Sequence, residues 1–193
     1  MNKVFDMGIM VCEDVQAYVG TCKFGTGSDS SFEPAAITDG AFVVLGGLAD
    51  STVYAGEIDL NAYYAYAPDA TTYGREDLAV IDLAEISGGV IAGNYYKMGA
   101  KTVDLVGEAG QPVRFRKMCK GDKFWLGAGC FTDTPVVGEY AGLTANAVEL
   151  TPAATAPQTG FGVVIRGSKP LTQGTRAGYA NGAYVQEYLV EVL

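Results

Sequence analysis

The sequence predicts an all-β protein, an antiparallel β-barrel or sandwich domain with an extended N-terminal arm. Three observations carry that expectation. The 193 residues include 26 Gly and 7 Pro, which interrupt the chain too often for long helices. Twelve Tyr and eight Phe accompany them, and these side chains suit a pleated, half-buried surface. Between the breakers, apolar residues come in short continuous runs or in alternation, the period of strands. With 49% apolar residues the chain is long enough to bury an ordinary core.

Residues 1–32 read as arm and linker. One alternating stretch, Val15 to Cys22, precedes GTGSDSS at Gly25 to Ser31, a segment with little to bury. Residues 33–193 read as the β domain. Ala41–Leu45 is a continuous apolar run ended by Gly46-Gly47, and Thr52–Leu60 alternates; both suit strands. Ala62–Ala67 is aromatic-rich and stops at Pro68-Asp69, where Pro presets φ and Asp can bond its own backbone, so a turn is expected there. Arg75–Ile86 is ambiguous, because Leu78, Ile81 and Ala84 have helical spacing while Ala79-Val80-Ile81 suits a buried strand; strand is preferred.

Pro112–Met118 places Val113 and Phe115 on one face and Arg114 and Arg116 on the other, a half-buried strand offering both arginines to solvent or a partner. Lys120-Gly121-Asp122 forms a turn into KFWLGAGCF, where Phe124 and Leu126 share a face. Val136 to Val148 carries further short runs, and Thr151 to Gly160 has the composition of an exposed projection. Phe161–Arg166 and Ala183–Leu193 give the last two strands. The final one sets Tyr184, Gln186, Tyr188, Val190 and Val192 against Val185, Glu187, Leu189 and Glu191. No internal repeat of fixed period emerges.

Charge narrows the function classes. The balance is −9, which argues against a general binder of nucleic acid or anionic membranes. Residues 1–100 hold 14 acids and 4 bases, whereas residues 101–193 hold 8 acids and 9 bases. The single concentration of positive charge is Arg114, Arg116, Lys117, Lys120 and Lys123, opposed in sequence by Asp122 alone. Short charge runs are ordinarily a solvated face. The absence of His removes His-based acid–base catalysis, Ser-His-Asp and Cys-His activation, and every His-containing metal site.

MNKVFDMGIMVC breaks its apolar stretch at Asp6, so a signal peptide is not expected. The longest apolar run, Ala41 to Ala49, is well short of the roughly 20 residues of a membrane-spanning helix. Cys12, Cys22, Cys119 and Cys130 form no CxxC pair, so no metal or cofactor is expected and the thiols read as reduced, buried apolar residues.

Neighbouring acids such as Glu13-Asp14, Glu76-Asp77 and Asp82/Glu85 are what any acidic chain offers, and they leave a carboxylate glycosidase as the residual enzyme reading. The Gly-rich pieces lack the lysine and the strand-to-helix context of phosphate loops, and Asp29, Asp39 and Asp59 are too scattered for a calcium loop. Tyr54, Tyr63, Tyr64, Tyr66 and Tyr73 form the densest aromatic group. Core and sheet-face packing is the first reading for them, an interface the second, and a carbohydrate-stacking platform the third.

Three segments in fixed order carry a resemblance: PAAITDGAFVVLGGL followed by VYAGEIDL, then GEAGQPVRFRKMCKGDKFWL, then VVGEYAGLTANAVELTPAA ahead of a last strand. The matching positions are Gly40, Val43, Leu45, Gly46 and Leu48; then Gly110, Arg114, Gly121, Asp122 and Phe124; then Val137, Gly138, Tyr140 and Leu150. In these the chain resembles the head decoration, or capsid cement, proteins of tailed bacteriophages. The resemblance spans roughly residues 33–193; AYYAYAPDATTYG and the four cysteines lie outside it.

It implies a non-enzymatic virion protein, made in the host cytoplasm, that binds the major capsid protein on the outer surface of the head. A homo-oligomer is implied, with a trimer favoured. On this reading Arg114, Arg116, Lys117, Lys120 and Lys123, with Tyr63, Tyr64 and Tyr66, meet capsid or neighbouring-subunit surfaces, while residues 1–30 order on docking. A tail or baseplate structural protein, or a surface adhesin module, would share the same composition.

Overall fold

The computed structural model describes residues 5–6, 19–49, 62–83, 89–91, 94–96, 106–170, 179–180, 183–184 and 186–193. In chain order its first strands are β1 (Phe5–Asp6), β2 (Val19–Thr26), β3 (Glu33–Pro34), β4 (Ile37–Thr38), β5 (Phe42–Leu48) and β6 (Ala62–Tyr66). Next come β7 (Leu78–Ile81), β8 (Gly89–Ile91), β9 (Asn94–Tyr96), β10 (Val106–Gly107), β11 (Val113–Lys117) and β12 (Lys123–Gly127). A 3-10 turn at Ala128–Cys130 leads to β13 (Tyr140–Leu143), β14 (Leu150–Ala153), β15 (Gly162–Pro170), β16 (Tyr179–Ala180), β17 (Ala183–Tyr184) and β18 (Gln186–Val192). No α-helix occurs among the described residues, and the chain is all-β as expected.

Five strands close into a barrel in the order β11-β7-β5-β6-β2, with β2 returning to β11 and β3 extending the open end of β2. Its pairs are antiparallel except β2 with β6, which run parallel with Thr21 opposite Ala62. Alternation decides what fills it. Val43, Ala79, Ile81, Val113 and Phe115 point inward with Cys22 and Ala65, while Phe42, Leu78 and Val80 point outward.

Those outward residues are covered by a six-stranded antiparallel sheet, ordered β1-β12-β18-β15-β13-β14. Phe124, Leu126, Leu150, Ile165 and Val190 supply the facing layer, so one apolar core separates sheet from barrel and a second fills the barrel. Strand β7 touches both cores and all four of its residues are inaccessible. A strand buried on two faces has no polar side to alternate with, which explains why Arg75–Ile86 is ambiguous as sequence.

Several boundaries differ from expectation. Val19–Thr26 is an interior barrel strand, not arm, because Cys22 and Phe24 face the barrel core and the backbone is paired on both sides. GTGSDSS is the tip of the β2–β3 hairpin, in which Gly25 pairs with Pro34, rather than a linker. Ala62–Tyr66 is a strand, and the turn chemistry of Pro68-Asp69 acts only after it.

Thr151–Gly160 does not project. Its first residues belong to β14, and Pro157 folds back over Gly142 and Gly162. Glu187, on the outward face of β18, is fully buried. The expected strand at Thr52–Leu60 lies outside the described residues, as do Cys12, Glu13, Asp14, Tyr54, Asp59 and Glu85.

Candidate functional site

The five cations of the sequence patch do not gather on one free face. Arg114 and Arg116, alternate residues of β11, both reach Asp82 at the end of the neighbouring strand β7. The Arg114 guanidinium lies 3.0 Å from Asp82 Oδ2, Arg116 Nε donates to the same oxygen, and Arg114 Nε donates to the Asp82 carbonyl at 3.1 Å. Asp82 is only 3% exposed, so its charge is held by these two arginines in place of water. Lys117 donates to the Glu76 carbonyl at 2.6 Å, and its ammonium pKa is lowered by burial.

Lys123 stands on the other sheet, 3.6 Å from Glu191, which also accepts from Arg166 Nε at 2.7 Å. Lys120 occupies the exposed turn after β11 and makes no ion pair among the described residues. The half-buried strand is thus as expected, while its arginines serve an intrachain acid.

The tyrosines divide by strand alternation. Tyr63 faces the barrel core, edge-on to Phe115 with ring centroids 6.0 Å apart. Tyr64 is buried on the opposite face against Phe32, at 4.6 Å between centroids. Tyr66 follows it toward a cleft. Packing, the first reading of the aromatic cluster, describes Tyr63 and Tyr64.

The cleft encloses about 690 Å³, within the roughly 300–1,000 Å³ of small-molecule sites. It opens where the β2–β3 hairpin tip, the loop after β6 and the β13–β14 turn converge. Its construction begins at Gly46-Gly47, where β5 bulges so that two residues lie between its pairings with Ala65 and Tyr63. A side chain on Gly46 would lie 2.5 Å from Asp29 Oδ1. With none there, the Asp29 carboxylate settles onto the strand, accepting from Gly47 N at 2.8 Å through Oδ2 and from the Tyr66 hydroxyl at 2.9 Å through Oδ1.

A second tyrosine and carboxylate mirror the first. The Tyr73 hydroxyl donates to Asp69 Oδ1 at 2.6 Å, and the Tyr73 ring is backed by the large core. Asn146, in the left-handed conformation with φ of 61°, ties the opposite turn to this loop through its amide, 2.6 Å from the Pro68 carbonyl. Both phenols are held above the ordinary tyrosine range, Tyr66 by burial and then by the Asp29 hydrogen bond, Tyr73 first by its bond to Asp69. They remain protonated donors at neutral pH.

The cleft escapes sequence reading because its polar residues come from three distant segments. The one local signal is a Gly-Gly pair interrupting an apolar strand. Elsewhere the buried acids are structural: Asp39 Oδ1 accepts from Leu83 N at 2.8 Å, and Asp122 Oδ2 from Cys119 N at 2.7 Å. Cys22, Cys119 and Cys130 are buried, and burial pushes the Cys22 thiol up to about 12. Among the described residues no group of His, Cys, Asp and Glu is arranged to hold a metal. No protein-family model, curated protein or solved structure matches the chain.

Proposed function

We propose that this protein is a bacteriophage capsid decoration protein, binding the major capsid protein on the outer head surface and stabilising the shell as a homo-oligomer, with a trimer favoured. The observation that carries the reading is where the resemblance residues fall. Gly40, Gly110, Gly121 and Gly138 all have φ between 74° and 94°, a region L residues rarely adopt. Each stands at a turn ahead of a strand, while Phe124 and Leu150 are fully buried core residues and Asp122 closes the β11–β12 turn. These resembling positions specify turns and core, as a shared fold requires, while Leu48 and Val137, also among the matching positions, are exposed.

Lattice contact then falls on surface the chain leaves open. Val136 and Val137 are 52% and 49% exposed on the loop entering Gly138, inside the third resembling segment. With Arg114, Arg116 and Lys123 occupied by acids of the same chain, these valines and Lys120 replace the arginines as the expected contacts.

Co-sedimentation with undecorated capsids of the encoding phage tests the reading at low and high salt. Saturable, stoichiometric pelleting that survives high salt and is lost in Val136→Asp/Val137→Asp is expected. A folded protein that stays in the supernatant refutes decoration. Pelleting abolished by salt and untouched by the valine substitutions refutes the contact surface.

A further inference from the structure

We propose that the cleft between the β2–β3 hairpin tip and the loop after β6 is a binding site for a neutral saccharide. This goes beyond the decoration reading and does not rest on it. The cleft has an aromatic side, formed by Phe24, Tyr66 and Tyr73, and a hydroxyl side, formed by Thr26, Ser28 and Ser30. Pyranose rings present C–H faces that pack on aromatic rings and an equator of hydroxyls that both donate and accept, so such a two-sided lining matches them.

The carboxylates sharpen the class. Asp29 and Asp69 are each anchored by a tyrosine hydroxyl on Oδ1, which fixes their orientation before any ligand arrives. Asp69 Oδ2 has no hydrogen-bond partner among the described residues, leaving an acceptor for a sugar hydroxyl. Among the described residues no lysine or arginine lines the cleft, so an anionic ligand would meet two carboxylates there with no cation from these residues to neutralise it. An ammonium ligand would satisfy the carboxylates but, having no acceptor, would use the serine and threonine hydroxyls only through their lone pairs. A neutral polyol uses both.

The rigidity needed for weak-ligand selectivity is built in. The Ser28 hydroxyl lies 3.2 Å from that of Ser30 and 2.9 Å from that of Ser31, and Asp29 bridges the hairpin tip to β5. Tyr73 rests on the core, and Asn146 fastens the facing turn.

Amide and aromatic NMR of the intact protein, titrated separately with the methyl glycosides of glucose, galactose, mannose and N-acetylglucosamine, tests the proposal. Millimolar, saturable shifts confined to the cleft, at Ser28, Asp29, Tyr66, Asp69, Tyr73 and Asn146 foremost, are expected with at least one of them. Glucuronate should give none. Asp69→Asn, at an exposed position, should keep the native spectrum elsewhere and weaken binding about tenfold. Silence of these residues with all four glycosides overturns the site. So does binding unchanged in Asp69→Asn, or a response to putrescine alone, which would make the cleft an amine site.

Discussion

Each barrel strand is paired on both sides, whereas the six-stranded sheet ends in two edges, β1 and β14. The fillings differ accordingly. Inside the barrel, Cys22, Ala41, Ala65 and Ala79 leave a narrow space with one fully buried ring, Phe115, flanked by the partly buried Phe24 and Tyr63; between barrel and sheet the core is broad and holds Phe42, Phe124, Phe131, Phe161 and Tyr188. A closed hydrogen-bond cycle cannot contract without breaking pairs, but an open sheet can shift over its support. The barrel is thus a fixed frame, and the cleft is built at its rim.

The sharpest way to break this contrast is to empty each core in turn. Phe115→Ala should cost about 4 kcal/mol in urea unfolding, well above the lower end of the range for phenylalanine truncation, because the surrounding strands cannot close the void. Phe131→Ala, whose ring meets Tyr188 edge-on at 5.8 Å, should cost nearer about 3 kcal/mol as the sheet relaxes. Equal losses would mean the closed barrel is no stiffer than the open sheet.

The joint between the two regions comes next. Gly160 sits at φ 77°, where an added Cβ would lie 2.1 Å from the Thr71 carbonyl, so Gly160→Ala must part the sheet loop from the barrel loop. A loss of about 2–3 kcal/mol is expected. Gly138 has φ 94° but open space around it, and Gly138→Ala should cost only the backbone conformation, about 1 kcal/mol. The difference in urea midpoint between the two isolates the joint from the strain common to both.

What the sequence disclosed follows the same division. Alternation and turn residues identify the strands read at Pro112–Met118 and Phe161–Arg166, observed as Val113–Lys117 and Gly162–Pro170, since each has distinguishable faces or clear punctuation. Strand β2 misleads because its neighbours β6 and β11 are distant in sequence and its hairpin tip resembles a linker in composition. The basic run misleads for a related reason. Asp82, the acid that holds Arg114 and Arg116, stands 32 and 34 positions away, and only the β7–β11 pairing brings them together. The cleft has the least local signature of all, because Phe24, Asp29, Tyr66, Tyr73 and Asn146 converge only when both sheets are in place.

Ion pairs extend the comparison to electrostatics. Asp82 is buried at the barrel wall, so Asp82→Asn withdraws the charge facing two guanidinium groups that remain partly enclosed, with side-chain exposures of 38% and 18%. The expected loss is about 2 kcal/mol, between the cost of breaking a fully buried pair and that of a surface pair. An asparagine variant as stable as the parent would show that the arginines find water readily, and would return them to the list of free surface cations.

The smallest effect belongs to the sheet's outward face. Glu191 accepts from Arg166 with Lys123 also nearby, and the Arg166 hydrogen bond in particular holds its carboxyl pKa below the ordinary value. A depressed folded-state pKa means the carboxylate form favours the native state. That contribution is complete above the unfolded-state glutamate pKa and is lost as pH falls through the folded one. Because both partner side chains are more than a third exposed, solvent and salt screen the interaction, and Glu191→Gln should cost no more than about 0.5 kcal/mol at neutral pH. Urea unfolding of parent and variant should therefore differ slightly at neutral pH and converge toward about pH 3, where glutamate is largely protonated in the unfolded chain. A difference that persists undiminished in acid, or one as large as that of Asp82→Asn, would show that this face carries structural charge of the same kind as the barrel wall.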